Sequence, residues 1–327
     1  MRYLVFLLTA LLLDVLLLHV SGASATWPTA TWPTGIVDLL ASGAAISTTT
    51  QANSHVLGIR ARDGWATLNP SEDVYDWSYP DSLLATKGNK FFGYSIVNFT
   101  SFPQWVVDAG ANTVLITNPY GDIVPMLVPN DPVFIAKWTK FLRAFMQRYD
   151  GRLAYFVPGV GQVIEAYVAK TQTEFDELAP YGGSDAWVTH CTTVFNVLLG
   201  PAGFKQTKVI FTLVDTSFFG ENSSKEETLY ESLCTAYPRR FGGMEVALRS
   251  TSSPGFFPNA EIRDFAHTNP CGFQFADSTE GDGALAAGAT ILNGTKGYIE
   301  VYLNYGDDPA NAATEDSYNR ILLGQTP

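Results

Sequence analysis

The sequence predicts an α/β protein with the (β/α)8 TIM barrel fold, and two observations carry that prediction. Strand-like apolar runs alternate with segments in which apolar residues recur at spacings of three and four, the period of an amphipathic helix. This alternation repeats eight times in a chain of 327 residues. Alternating strands and helices predict a parallel sheet with helices outside it, and eight units fit a closed barrel better than an open, doubly wound sheet.

The predicted strands are short runs that are rich in β-branched and aromatic residues. In chain order they read GIVDL, HVLGIRA, KFFGYSIVNF, LAYFVPGVG, KVIFTLV, GMEVALR, CGFQFAD and GYIEVYL, of which the first is the weakest. The segments between them include the helical patterns DSLLATKG, DPVFIAKWTKFLRAFMQRYDG, SDAWVTHCTTVFNVLLG and SKEETLYESLCTAYPRR. No linker divides this series, so one domain over residues 35–327 is expected.

The N-terminus has the layout of a secretory signal peptide over residues 1–25. A positive residue precedes a leucine-rich stretch, and the small residues ASA at 23–25 precede the expected cleavage site. A membrane anchor is the alternative, but Asp14 and His19 interrupt the apolar run and no basic cluster follows it. Residues 26–34 form a short lead-in with a repeated Thr-Trp-Pro-Thr. We therefore expect a secreted, extracellular protein with no membrane contact after cleavage.

Charge and cysteine content narrow the class of protein. The formal net charge of −12 disfavours nucleic acid as a partner, because an acidic surface repels phosphates. Three sequons, at Asn98, Asn222 and Asn293, are typical of a secreted glycoprotein. Three cysteines do not make a disulfide scaffold. Cys191 and Cys234 lie on helices expected to be neighbours, so they are the pair predicted to be bridged if any is.

The last predicted strand raises the question of function, because Glu300 lies within an apolar run. A buried carboxylate is costly unless it has partners or serves a site. Strand alternation turns the Glu300 side chain into the barrel, and it turns Arg60, Arg62 and Gln274 inward on other strands. The interior is therefore predicted to hold charged and amide side chains where branched aliphatic ones are usual.

Two interpretations of this inward set remain open. A buried Arg–Gln–Glu network would fix strand register and do nothing else. The second interpretation is a functional site, and Glu165 supports it. This residue follows the fourth predicted strand, at the end where barrel enzymes place catalytic residues. Glycoside hydrolysis needs two carboxylates, one that protonates the leaving oxygen and one that attacks the anomeric carbon or activates water. Glu165 and Glu300 are the candidate catalytic pair.

A longer pattern accompanies these two acids. In HVLGIRARDGWATLNPSEDVYDWSYPDSLLATKGNKFFGYSIVNFTSFPQWVVDAGA, a strand that ends near a Trp is followed by a P...YDW...D helix entry, a second strand and a Pro-x-Trp step. Together with DPVFIAKWTKFLRAFMQRYDG, the Glu165 strand, GFQ and YIEVY, it resembles glycoside hydrolase clan A, the β-galactosidase-like (β/α)8-barrel family. The resemblance covers most of the chain after the signal peptide and implies a carbohydrate substrate or ligand.

The resemblance also implies roles for particular residues. It assigns Glu165 as the acid/base, although Ile164 precedes it where the family typically has Asn. The family nucleophile is a Glu at the end of strand seven, where this sequence has Gln274. Glu300 is therefore the candidate for the second carboxylate, ahead of Asp277 and Glu280 in the loop beyond Gln274.

Substrate-binding residues are expected at the same inward and strand-end positions, where aromatic side chains can offer flat faces to a sugar ring. The predicted set is Arg60, Arg62, Trp65, Trp105, Gln274, Tyr298 and Tyr302.

The sequence therefore supports two functions of different kinds. One is a glycoside hydrolase that uses the two carboxylates. The other is a catalytically inactive barrel that serves as an extracellular carbohydrate-binding or structural protein. An open cleft with two facing carboxyls would favour the first, and a closed network in which Arg60 or Arg62 neutralises Glu300 would favour the second.

Other chemistries find little support in the sequence. The segment PGVGQVIEA has Ile164 where a dinucleotide-binding fingerprint needs a third Gly or Ala. His55, His190 and His267 lack the spacing of metal ligands, and no G-x-S-x-G motif is present. We therefore predict no metal site and no cofactor.

Overall fold

The computed structural model describes residues 32–118, 120–214 and 224–325, so the predicted signal peptide lies outside the described residues. It contains a closed barrel of eight parallel strands and a separate two-stranded antiparallel hairpin. The strands are β1 (Gly35–Leu39), β2 (Gly58–Gly64), β3 (Phe91–Val97), β4 (Thr113–Thr117), β5 (Ile123–Leu127), β6 (Tyr155–Pro158), β7 (Lys208–Leu213), β8 (Phe241–Leu248), β9 (Gly272–Phe275) and β10 (Tyr298–Tyr302).

Helices fill the connections between the strands. They are α1 (Thr48–Ala52), α2 (Trp65–Leu68), α3 (Ser78–Thr86), α4 (Gln104–Asp108), α5 (Pro132–Tyr149), α6 (Gln172–Leu178), α7 (Gly183–Leu199), α8 (Ser224–Ala236), α9 (Asn259–Phe265), α10 (Asp282–Leu292), α11 (Leu303–Gly306) and α12 (Ala312–Leu322). Two short 3₁₀ helices, Ala179–Tyr181 and Pro309–Asn311, join them. Among the described residues, no helix combines the length and apolar character needed to cross a membrane.

The strand order around the barrel confirms the predicted fold. It runs β1, β2, β3, β6, β7, β8, β9, β10 and back to β1, and each of these strands falls on one of the eight predicted runs. The weak run GIVDL is β1, which pairs with both β2 and β10 and closes the barrel. The hairpin β4–β5 was not predicted. It lies in the connection after β3, at the carboxyl end of the barrel.

Glycines inside the barrel make room for aromatic rings. A Cβ atom at Gly93 on β3 would lie 2.2 Å from the ring of Tyr155 on β6, and one at Gly272 on β9 would lie 2.5 Å from the ring of Tyr298 on β10. The two tyrosine rings meet inside the barrel with centroids 5.0 Å apart. A side chain larger than hydrogen at either glycine would overlap a buried ring, so this core depends on large–small pairing.

The longest helix shows how the outer layer forms. Asp131 caps the N-terminus of α5 by accepting hydrogen bonds from the backbone N–H groups of Val133 and Phe134, and Pro132 occupies the first turn. Its apolar face is buried against the sheet through residues that include Trp138 and Phe145. Cap and apolar stripe together account for the helix that the sequence pattern predicts.

The structure corrects the expected disulfide and gives the burial of two of the three sequon asparagines. Cys191, Cys234 and Cys271 are all free and buried, so the predicted Cys191–Cys234 bridge is not formed. The sequon residue Asn98 is fully buried at the end of β3. Asn293 is exposed after helix α10. Asn222 lies outside the described residues.

Candidate active site at the barrel mouth

An ion pair occupies the barrel interior around Glu300. Arg60 Nε on β2 lies 2.9 Å from Glu300 Oε2 on β10, and both side chains are 0% exposed. The angle of this contact departs from that of a hydrogen bond, so it is a close ion pair. Tyr155 on β6 donates its hydroxyl to Glu300 Oε1 at 2.6 Å. Arg60 Nη2 donates to Gln274 Oε1 on β9 at 2.6 Å.

This network confirms that Arg60, Gln274 and Glu300 point into the barrel, because their contacts join strands across its interior. Glu300 and Gln274 are also register partners on β10 and β9. Burial raises the pKa of Glu300 above its usual value, while the Arg60 guanidinium and the Tyr155 hydroxyl oppose that rise. Glu300 thus lies in a closed polar network below the barrel mouth.

Glu165 lies at the carboxyl end of β6, in a loop that packs onto the barrel. Thr212 on β7 donates its hydroxyl to the carbonyl oxygen of Ile164, which is fully buried. A Cβ atom at Gly161 would lie 2.1 Å from the carbonyl oxygen of Glu165. The glycines of the PGVGQVIEA segment therefore allow close backbone packing. The side chain of Glu165 is partly exposed, and its Oε2 accepts a hydrogen bond from the Ile164 N–H at 3.0 Å.

Arg62 lies on β2 between the buried Arg60 and the barrel mouth. It is partly exposed, and burial lowers its pKa from the ordinary value; Arg60 adds to that effect, whereas Glu165 opposes it. The Arg62 guanidinium also acts on the pKa of Glu300. Arg62 therefore lies within electrostatic reach of both predicted catalytic carboxylates, Glu165 at the mouth and Glu300 below it.

Two tyrosines lie near Arg62 at the mouth. Tyr302, at the end of β10, is partly exposed, and Tyr120 is 84% exposed in the turn between β4 and β5. Both lie close enough to Arg62 to affect its pKa. The Asn118 side chain holds the turn by accepting from the Tyr120 and Asp122 N–H groups, at 2.9 Å each. The prediction from sequence missed Tyr120, although the alternating apolar runs on either side of the turn indicate a hairpin.

Several predicted sugar-binding residues are not available to a ligand. Trp65 is fully buried against Trp138, with ring centroids 5.1 Å apart, and Tyr298 is fully buried beneath Glu300 inside the barrel. Arg60 is equally buried, and Gln274 is 7% exposed. These four side chains stabilise the core in this structure. Alternation along a strand gives the direction of a side chain but not its depth, which the structure shows to be large for these four.

The remaining predicted residues lie at the surface. Trp105 on α4 is partly exposed and donates its indole N–H to the Asn69 carbonyl oxygen at 3.0 Å. Asp277 and Glu280 both pair with Arg249, at 3.2 and 3.0 Å. Hydrogen bonds from Thr279 lower the pKa of Asp277, and Arg249 adds to that effect. Both alternative acids are thus already bound to an arginine in the loops beyond β8 and β9.

Comparison with known proteins supports the fold. No protein-family model matches the sequence, and none of the curated protein sequences matches it either. Among solved structures, the barrel is similar to an endo-β-1,4-glucanase from Xanthomonas axonopodis pv. citri, with a TM-score of 0.53 and 10% identity over 89% of this chain and 99% of that one. It is also similar to an exo-β-1,4-mannosidase from Opitutaceae bacterium strain TAV5, with a TM-score of 0.52 and 11% identity over 90% of this chain and 61% of that one.

Proposed function

We propose that the protein is a secreted glycoside hydrolase-like protein of the clan A, β-galactosidase-like kind, which acts on O-glycosidic bonds. In this proposal Glu165 is the acid/base at the barrel mouth and Glu300 is the second carboxylate. The placement of Glu165 carries the proposal. It lies beyond the carboxyl end of the fourth barrel strand, partly exposed, and within electrostatic reach of the Arg62 guanidinium.

These neighbours suit the chemistry of a sugar substrate. A glycosidic oxygen needs a proton donor within hydrogen-bond reach, and a partly exposed glutamate at the mouth can provide one. The rings of Tyr302 and Tyr120 offer flat faces for a sugar, and Arg62 can donate hydrogen bonds to sugar hydroxyl groups. Arg60 and Tyr155 hold the Glu300 carboxylate in a fixed position one layer below.

One observation favours a second function, a barrel that binds carbohydrate without hydrolysing it. Glu300 is 0% exposed and its carboxylate is matched by Arg60. A carboxylate that attacks an anomeric carbon or activates water must touch the substrate or that water. With Glu300 closed off and an amide, Gln274, at the position of the family nucleophile, the mouth would bind a sugar through Glu165, Arg62 and tyrosine rings alone.

The deciding experiment is a panel of aryl glycosides tested on the secreted form of the protein. The variants are Glu165→Gln and Glu300→Gln, and the matched control is Glu231→Gln on the exposed side of α8. Hydrolysis predicts that both site variants lose most turnover, by at least about 100-fold, while the control keeps it. Retention of the circular dichroism spectrum would exclude misfolding as the cause.

Two other outcomes are informative. Full turnover in Glu300→Gln with loss in Glu165→Gln would show that Glu300 is structural. No turnover on any glycoside, with calorimetric binding of an oligosaccharide that Glu165→Gln weakens, would establish the binding function in place of the hydrolase.

A further inference from the structure

A cavity of about 620 Å³ opens at the amino end of the barrel, on the side opposite the candidate active site. The connections that lead into four strands form its walls. Trp32 precedes β1, Pro238 and Arg239 precede β8, Ala266 and His267 precede β9, and Lys296 precedes β10. These strands are neighbours in the order β8, β9, β10 and β1. Closure of the barrel therefore brings side chains from four separate connections to one cavity.

The charge around this cavity is opposite in sign to the charge of the chain. The whole sequence has 32 acidic and 20 basic residues. Arg239, His267 and Lys296 line the cavity, whereas no Asp or Glu is among the described residues that line it. All three side chains are exposed, and within the described part of the chain neither Arg239 nor Lys296 uses its charged group in a hydrogen bond or an ion pair. Their donors are therefore free to bind a ligand.

Further cations crowd the same edge of the barrel. Burial lowers the pKa of Lys208, and the nearby Arg239 and Arg240 lower it further, whereas Asp150 opposes them. The Asp150 carboxylate already accepts hydrogen bonds from the backbone N–H groups of residues 205–207, at 2.8, 2.9 and 3.0 Å. Positive charge is thus in excess beside the cavity, and a bound anion would offset the repulsion between the cations.

The backbone fixes the position of Arg239 at the cavity wall. Its φ angle is 65°, in the left-handed region that residues other than glycine seldom occupy, and its N–H donates to the Thr268 carbonyl oxygen at 2.9 Å. The side-chain amide of Asn269 donates to the Phe241 carbonyl oxygen at 2.8 Å. Two hydrogen bonds therefore tie the connection before β8 to the connection before β9, and the cationic wall belongs to the framework of the barrel.

An aromatic side chain gives the cavity an apolar wall. Trp32 is partly exposed although its indole Nε1 is buried, so it presents carbon atoms rather than its N–H group to the cavity. The hydroxyl groups of Thr268 and Thr295, which also line the cavity, donate to Asn269 Oδ1 and to the Leu292 carbonyl oxygen. Among the described lining side chains, the cationic ones are thus the donors that remain for a ligand.

We propose that this cavity binds a small anionic sugar, a single sugar or a disaccharide that carries a sulfate or a carboxylate group. An aromatic ring offers a flat face to the sugar ring, and cationic donors make charge-assisted hydrogen bonds to its anionic group. A volume of about 620 Å³ is the size of a small-molecule site. The formal net charge of −12 would repel a long polyanion beyond the cavity, whereas a short ligand ends within it.

The test is calorimetric titration of the secreted form of the protein with glucose 6-sulfate, glucuronate and glucose. An anionic sugar should bind at least about tenfold more tightly than glucose, and the tighter of the two identifies the anionic group. Arg239→Met and Lys296→Met keep an apolar stem and should each weaken that binding by about five- to tenfold. Arg143→Met, an exposed charge on α5 outside the cavity, is the matched control and should keep the affinity.

Inorganic sulfate serves as the probe for the sugar ring. Trp32→Leu should weaken the binding of the anionic sugar and leave the binding of inorganic sulfate unchanged. Sulfate bound as tightly as the sugar would show an adventitious ion only and overturn the proposal. Circular dichroism would verify that each variant is folded.

The remaining outcomes concern charge and location. Anionic sugars that bind no better than glucose, or do not bind, would overturn the proposal. Unchanged affinity in both Arg239→Met and Lys296→Met would overturn it as well. Glu165→Gln should keep the affinity, because Glu165 lies at the other end of the barrel. Loss of binding in that variant would assign the sugar to the barrel mouth.

Discussion

The protein buries carboxylates in two regions that differ in how they are compensated. Inside the barrel, Glu300 contacts Arg60 and Tyr155. Outside it, neither oxygen of Asp38 has a hydrogen-bond partner among the described residues, although Asp38 and Glu300 are both 0% exposed. Burial alone therefore does not tell how a carboxylate affects the stability of the fold. Its partners decide whether removing its charge weakens the fold or strengthens it.

The largest expected effect comes from breaking the interior pair. Arg60→Met leaves the Glu300 carboxylate buried without its cation and removes the donor to Gln274. We expect a loss of about 3–5 kcal/mol in the free energy of unfolding, measured by urea denaturation. Arg62→Met, two residues along the same strand and partly exposed, is the matched control and should cost about 1 kcal/mol or less. Equal losses in the two variants would contradict a special role for the Arg60–Glu300 pair.

The unpaired region should respond with the opposite sign. Burial raises the pKa of Asp38 to about 8, so near pH 7 the carboxyl must take up a proton on folding. Asp38→Asn removes that requirement, and we expect the free energy of unfolding at pH 7 to rise by about 1–3 kcal/mol. Asp131→Asn is the matched control. Asp131 is also buried, but it accepts hydrogen bonds from the first turn of α5. Asp131→Asn should leave the free energy of unfolding unchanged or lower it. If both variants raised it, the hydrogen-bond partners of a buried carboxylate would not decide the effect of replacing it.

His190 is a third buried titratable group, and it differs from the two carboxylates because it is buried in its neutral form. Its ring packs against Phe99 and Phe134, and Nδ1 accepts from the Asn130 N–H at 3.2 Å. Burial lowers the pKa of His190 to about 3 from 6.5. Because the pKa is lower in the folded state, this group's stabilising effect is complete above pH 6.5 and is lost as the pH falls towards 3.

Between pH 7 and pH 5, His190 should therefore reduce the free energy of unfolding by about 2 kcal/mol. Urea denaturation at both pH values would show it. His190→Gln keeps an acceptor but cannot take up a proton, so its stability should change less over the same interval. His267→Gln, which alters an exposed ring, is the control. A pH dependence that survives in His190→Gln would assign the loss to another group.

The period of two in each strand was enough to predict the direction of the interior polar side chains. Arg60, Gln274 and Glu300 point inward as expected, because alternation is a property of the extended backbone. The same rule could not give depth. Trp65 and Tyr298 are fully buried. How far a side chain lies from the barrel mouth depends on where the neighbouring strands end, and the period of two carries no information about that.

The acidic cluster could not be found from the sequence. Its members are Asp38, Asp307 and Glu315; Asp38 precedes the other two by more than 260 positions, and no motif joins them. They meet because closure of the barrel puts the first strand beside the last one, so the helices after β10 pack against β1. Tyr120 acts on the pKa of Arg62 although the two residues are far apart in the sequence. The hairpin β4–β5 brings Tyr120 there, because it follows β3 at the carboxyl end of the barrel.

The sequence by itself determined the number of barrel strands, their parallel arrangement and the inward direction of the charged residues, because these follow from local periodicity and from the alternation of strands and helices. The tertiary structure decided which charges are paired. Arg60 meets Glu300 only once β2 and β10 lie on either side of β1, and α12 covers an Asp38 side chain that has no hydrogen-bond partner among the described residues. Compensation of a buried charge depends on distances of a few ångströms between segments remote in the chain, which no local pattern encodes.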